Sequence, residues 1–376
     1  MKRNNKKIIR AVTVPMSLCF CREIMIKMRT MGYEMVAVTS PGPELDRLRN
    51  EDGFHCIEVK MERHISIMND LKSLWSMIRV FRKERPFLVH SMTPKAGMIC
   101  MLAAWITRVP RRVHTFTGLV WPTATGLKRK ILMMTDWLTC ACATHVIPEG
   151  QGVLDDLRNG GITHKPMKVL GYGNVMGVDM ERFNPTRFMA LKDAETFTFV
   201  FVGRIVGDKG INELVEAFAR LHGKHKNIRL VLVGSYEYEL DPVSDATRKE
   251  IDTNGAIDAC GPKYGDDLLQ MYVDADCFVM PSYREGFPNT VLEAGAMGVP
   301  SIVTDINGSR EIIENGKNGL IVPSKDANAL YEAMERILTD KTARETMRNN
   351  ARQMIASRFE RNFVQKCQID FYKEIM

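Results

Sequence analysis

The chain has 376 residues, 45% of them hydrophobic and 26% charged, with a net charge of +7. That balance excludes a disordered or collagen-like polymer, and the length suits two domains of roughly 100–200 residues, each with its own core. The charge is polarised: residues 1–180 carry +12 and residues 181–376 carry −5. A basic first half implies an anionic partner there (a nucleic acid, a diphosphate or an anionic membrane face) or else a solvated basic surface. The longest apolar stretch, residues 97–107, falls well short of the roughly 20 residues that a membrane span requires. The basic start leads into a helical pattern, without the apolar region of a secretory signal. A cytoplasmic protein is therefore expected. The nine cysteines fit this, since Cys19/Cys21 and Cys140/Cys142 are C-x-C pairs without the second pair of a zinc site. They read as buried thiols.

In chain order, strand-like runs at 8–14, 35–39, 56–59, 88–91 and 113–116 alternate with helical patterns such as 67–83 and 94–107. This βαβα order predicts a parallel sheet with helices on both faces. A Gly-rich, Pro-punctuated stretch at 170–185 is the expected linker. A second series follows, with strands at 197–202, 230–233, 278–280, 302–304 and 320–322 and helices such as 211–221 and 290–297. A semi-apolar helix is expected over 357–376. The predicted organisation is a first domain over 1–180, a second over 181–356 and the terminal helix 357–376. Two doubly wound domains place a ligand in a cleft at their strand ends.

The first strand of the second series ends at Gly203-Arg204, followed by Gly207, Asp208, Lys209 and Gly210 and then a helix. Two cations and several glycines at a strand-to-helix turn suit a phosphate: the backbone can approach, and the helix end offers N–H groups and partial positive charge. Arg204 can grip oxygens bidentately and Lys209 acts as a point charge. A second cluster, residues 281–293, carries Glu285 on a loop, Gly286, Phe287 and Pro288 at the helix start, Asn289, Thr290 and Val291 in its first turn, and Glu293 beyond. One carboxylate can accept from sugar hydroxyls and the other from ribose hydroxyls. The apolar neighbours Val291, Leu292, Ala294 and Ala296 argue against Glu293 as an ordinary surface residue. Asp274-Ala-Asp276 has the D-x-D form of a metal motif, but it lies between an apolar helix and a strand and reads as structural.

The Glu285-to-Glu293 spacing, in its Pro-Ser…Glu-Gly-Phe…Glu-Ala…Gly-Val-Pro frame, resembles retaining glycosyltransferase family four. Gly203-Arg204, Lys209-Gly210, the stretch Gly177-Val178-Asp179…Arg182-Phe183-Asn184-Pro185 and Asn307-Gly308-Ser309-Arg310-Glu311 carry the same resemblance. It implies the α/β GT-B fold: two Rossmann-like, doubly wound domains facing across a cleft, with a C-terminal helix crossing back to the first. It also implies that Arg204 and Lys209 neutralise the departing diphosphate, that Glu285 faces the donor sugar, and that Glu293 holds the ribose. Backbone amides at 289–291 would meet the distal phosphate. No metal or other cofactor is implied, because fixed cations stabilise the leaving group. Domain closure would bring donor and acceptor together and exclude water.

The first domain is the acceptor domain in this family. His114 resembles the family's cleft histidine, with Thr117 and Gly118 on the same wall. Lys95, at a helix start, would meet an acceptor phosphate. Pro15-Met16-Ser17-Leu18 replaces the family's Gly-rich loop, leaving Ser17 either to touch the donor or to cap the next helix. Residues 90–97 and 114–126 resemble the bacterial subgroup that builds polysaccharide on undecaprenyl diphosphate sugars. This implies a UDP-hexose or UDP-N-acetylhexosamine donor and a lipid-linked saccharide acceptor. The basic–apolar stretch 127–138, with Trp75, Arg79, Phe81, Arg82 and Lys83, suits peripheral attachment to the anionic inner face of a plasma membrane. A UDP-sugar epimerase of similar fold is the alternative. Nucleic acid is not expected as a partner, since no recognition motif is present.

Overall fold

The computed structural model describes residues 6–62, 66–193, 195–238 and 241–376, which form two compact units. The first comprises residues up to Gly177 together with Asn362–Met376, and the second is Val178–Arg361.

In the first unit six parallel strands, β1 (Lys7–Ala11), β2 (Glu34–Thr39), β3 (His55–Glu58), β4 (Leu88–Met92), β5 (Arg111–Phe116) and β6 (His145–Pro148), lie in the order β3-β2-β1-β4-β5-β6. The intervening helices are α1 (Arg22–Thr30), α2 (Pro43–Asn50), α3 (Ile67–Glu84), α4 (Pro94–Ile106), α5 (Gly126–Cys142) and α6 (Gln151–Asn159). β4 is buried along its whole length, as a central strand covered on both faces must be. β1 stops at Ala11, short of the expected residue 14, because the chain turns towards Pro15, which opens a 3-10 segment. The edge strand β6 was not anticipated: four residues beside a helical stretch give no periodic signal.

The second unit repeats the plan with β7 (Phe197–Val202), β8 (Ile228–Val233), β9 (Ile257–Ala259), β10 (Cys277–Met280), β11 (Ser301–Thr304) and β12 (Gly319–Val322), in the order β12-β11-β10-β7-β8-β9. Its helices are α7 (Ile211–Lys224), α8 (Asp245–Thr253), α9 (Gly265–Val273), α10 (Asn289–Ala296), α11 (Ser309–Ile312), α12 (Ala327–Thr339) and α13 (Lys341–Phe359). All strand pairs in both sheets are parallel, for example Phe199 beside Leu230 and Ile302 beside Leu320. The short edge strand β9 also escaped the sequence pattern.

The terminal helix begins later than expected. Residues 357–359 finish α13, where Phe359 packs edge-on against Phe287 at 5.4 Å within the second unit. The chain then forms α14 (Arg361–Ile375), which joins the core of the first unit through buried Phe371, Tyr372 and Ile375. The Tyr372 hydroxyl receives a hydrogen bond from the buried guanidinium of Arg10 at 2.5 Å, and Gln368 donates to the Val175 carbonyl at 2.7 Å. All nine cysteines are free; Cys19 is exposed, while Cys21, Cys140 and Cys142 are buried. Among the described residues no helix is long and apolar enough to cross a membrane.

Candidate active site

In a doubly wound sheet, ligands bind at the carboxyl ends of the strands that flank the reversal of strand order. In the second unit that reversal lies between β7 and β10. After β7 the chain passes Arg204 and a short 3-10 turn, Gly207–Lys209, before α7. After β10 the loop 281–288 leads into α10. Gly210 lets these two loops meet: its φ is +72°, and a Cβ there would lie 2.1 Å from the Pro281 carbonyl oxygen, so no side chain fits. The Tyr283 N–H donates to the Asp208 carbonyl at 2.8 Å, and Arg284 pairs with the Asp208 carboxylate at 3.2 Å.

This contact brings together Lys209 and Glu285, which form a largely buried ion pair. Arg204 is exposed, and its guanidinium donates to Glu237 at 2.7 Å. Both cations expected to meet phosphate are thus held by carboxylates. The head of the 3-10 turn is also engaged: Gly207 N–H donates to the Asp241 carbonyl at 3.0 Å and Asp208 N–H to its carboxylate at 2.5 Å. Glu237 and Asp241 lie beyond β8, and no spacing in the sequence linked them to Arg204 or to the turn.

Gly286 is half-buried and Pro288 caps α10. Phe287 and Val291 turn their side chains into the core, so only their backbone is available to a ligand. Asn289 and Thr290 open α10, where the Val291 N–H donates to the Pro288 carbonyl at 3.2 Å; the Thr290 hydroxyl leans on the Met280 sulfur at 3.6 Å. Glu293 stands one turn further on, half-buried between Leu292 and Ala294. Its carboxylate accepts a hydrogen bond from the Tyr272 hydroxyl at 3.0 Å. Withdrawal from water pushes this carboxyl up to about 7, against the opposing pull of the Tyr272 hydrogen bond and the charge of Arg182. Tyr272 was not singled out in the sequence, where it reads as one more core position of a helix.

The D-x-D motif is structural. Asp274 accepts the Leu191 N–H at 2.7 Å, and Asp276 accepts the Thr198 N–H at 2.9 Å and pairs with Lys192. Among the described residues no group of three or more His, Cys, Asp or Glu side chains could hold a metal ion.

In the first unit the reversal lies between β1 and β4. The Thr13 and Thr93 hydroxyls meet there at 2.7 Å, and Thr13 Oγ1 takes the Ala96 N–H of α4 at 3.1 Å. Ser17 lies within the 3-10 segment Pro15–Phe20 and does not cap α1, whose cap is Cys21. Lys95, like Lys209, is held by a carboxylate: both Asp70 oxygens hold its Nζ, at 2.7 and 2.6 Å, and the pair is mostly buried. His114 is a core residue. It is 1% exposed, with Nδ1 2.8 Å from the Ser91 hydroxyl, and its ring packs edge-on against Phe116 at 4.5 Å. Burial lowers it to about 3. The cause is its place in the middle of β5, where the side chain points under α4; half-buried Thr117 and Gly118 follow beyond the strand's carboxyl end.

Family models match both units: the model described as Glycosyl transferases group 1 over residues 183–354, and Glycosyl transferase 4-like domain over residues 20–173. The capsular polysaccharide biosynthesis glycosyltransferase CapM of Staphylococcus aureus is 33% identical, covering 96% of this chain and 95% of that protein. The Escherichia coli UDP-Gal:alpha-D-GlcNAc-diphosphoundecaprenol alpha-1,3-galactosyltransferase is 28% identical over 79% of this chain and 78% of that one. Among solved structures, Anabaena HepE in complex with UDP and glucose covers 98% of this chain and 100% of that chain, with a TM-score of 0.81 at 17% identity, a likeness of fold.

Proposed function

Because the chain belongs to the group 1 glycosyl transferases, we propose that it transfers a hexose or N-acetylhexosamine from a UDP-sugar to a lipid-linked saccharide in bacterial cell-surface polysaccharide assembly. The observation that carries this reading is the meeting of Lys209, Glu285 and the α10 N-terminus at the strand reversal of the second unit. The lipid-linked acceptor rests on the E. coli relative, whose name specifies a diphosphoundecaprenol substrate.

In this reading the second unit holds the donor. The anomeric C–O bond to the diphosphate breaks, an acceptor hydroxyl bonds to the same face of the sugar, and its proton leaves with the departing phosphate oxygen. Charge grows on that oxygen, and fixed donors aimed at growing charge are the strongest catalytic device available. Lys209 and Arg204 are the donors, exchanging Glu285 and Glu237 for phosphate oxygens. Glu285, released from Lys209, turns to the sugar hydroxyls, and Glu293 takes the ribose. The backbone N–H groups of Asn289, Thr290 and Val291 turn to the distal phosphate, Val291 giving up its bond to the Pro288 carbonyl. These cations stand where a metal would act in other transferases, so no metal is needed. The first unit takes the acceptor, with Thr117 and Gly118 at its binding end.

The test is transfer from UDP-sugars to undecaprenyl-diphosphate-linked N-acetylglucosamine with EDTA present, reading the product's anomeric configuration by NMR. Retained configuration and full activity in EDTA are expected. Glu285→Gln should lower turnover by about 100-fold or more while donor affinity changes only a few-fold. Inverted product or dependence on added metal would refute the reading.

A further inference from the structure

A buried phenol must find a hydrogen-bond partner. Tyr272, on α9, is fully buried, and its hydroxyl donates to Glu293 Oε2 at 3.0 Å. Its ring lies 6.0 Å from that of Phe278 on β10. The bond ties the helix before β10 to the helix after it, across the strand whose loop carries Glu285.

The other groups around Glu293 do little to favour its charge. Among the described residues Arg182 is the cation that acts on it appreciably. Arg352 of α13 spends its guanidinium on the carbonyls of Met180, Phe183 and Ala296. On α11, Arg310 pairs with Asp305 at 2.8 Å, and Glu311 accepts the Gly308 N–H at 3.2 Å. β10 brings the buried thiol of Cys277, and β11 brings no acid or base. Lys209 is taken up by Glu285. The free protein therefore has a carboxyl that is divided between its two protonation states near neutrality.

A ribose diol presents two O–H donors. A carboxylate accepts both, whereas a carboxylic acid must itself donate one hydrogen and competes with them. Resting on the donor-site reading above, we infer that Tyr272 is a positioning residue that fixes Glu293 Oε2, leaves Oε1 towards the diol, and makes donor binding expel a proton from the Glu293 carboxyl to solvent. Carboxylic acid and diol become carboxylate and bound diol, with the proton taken by buffer.

The experiment is calorimetric titration with UDP-glucose and, in parallel, UDP-N-acetylglucosamine, whose phosphates do not titrate near neutrality. Buffers of different ionisation enthalpy give the proton count at each pH. The wild type should release about half a proton at pH 7 and almost none at pH 8.5, with affinity rising between pH 6 and 8. Tyr272→Phe should move the midpoint of release to higher pH and weaken binding at pH 7 by roughly 3–10-fold, with a thermal melt showing that it is folded. Glu293→Gln should release nothing. No proton release by the wild type, or an unmoved midpoint in Tyr272→Phe, would overturn the inference while leaving the donor site in place. Failure of the donor-site reading looks different: neither sugar nucleotide binds, or Glu293→Ala binds as well as the wild type.

Discussion

At the scale of single residues, the candidate site holds its charges in compensated pairs. Lys209 sits with Glu285 and Arg204 with Glu237, while Glu293 is met by the Tyr272 phenol and feels the charge of Arg182. A carboxyl raised from its ordinary value to about 7 binds a proton in the folded chain that the unfolded chain has already lost. The contribution of Glu293 to stability therefore falls as pH rises from about 4.5 to 7 and stays reduced above that. Glu293→Gln should match wild type at pH 4.5 and be more stable by about 1–3 kcal/mol at pH 8, read from denaturant melts at the two pH values. The same substitution should weaken donor binding, the mark of a group kept for function at the expense of stability.

At the scale of elements, close approach of backbone decides where the strand ends and helix starts lie. α4 packs over β5 at Gly97, where a Cβ would fall 2.4 Å from the ring of His114. That ring is pinned between Ser91 and Phe116 and has little room to retreat. Gly97→Ala should cost about 1–3 kcal/mol, seen as a lower melting temperature. An Ala at the exposed Gly223, whose Cβ would meet nothing, serves as the control. Most helices and the central strands were legible because a buried strand or an amphipathic helix repeats its apolar pattern. β6 and β9, edge strands of four and three residues, were not read, although the edge strands β3 and β12 were.

At the scale of the whole molecule, each unit carries its own sheet, and the chain returns to the first unit through α14. On the first unit Met68, Leu71 and Trp75 of α3 and Leu127, Met134 and Trp137 of α5 remain exposed, and the Arg79 guanidinium stacks 3.3 Å from the Trp75 ring. Large apolar side chains beside Lys72, Lys128, Arg129 and Lys130 have the composition of an interfacial surface. Flotation with vesicles containing anionic lipid should carry the protein upward, less so in high salt and less so for a Trp75→Ser/Trp137→Ser variant. Indifference to lipid charge would count against membrane attachment.

The sequence by itself determined the two parallel α/β series, the glycosyltransferase family and the Glu285–Glu293 frame, because these are written in local periodicity and in residues a few positions apart. Only the tertiary structure decided the states of the side chains. Lys95 and His114 fit their expected roles by position in the chain, yet one is held by Asp70 from another helix and the other is enclosed beneath α4. Tyr272 and Glu237 had no motif to announce them, and each becomes part of the site through a partner on another element. Burial and pairing depend on distances between segments remote in sequence, and those distances exist only once the sheets and helices have packed.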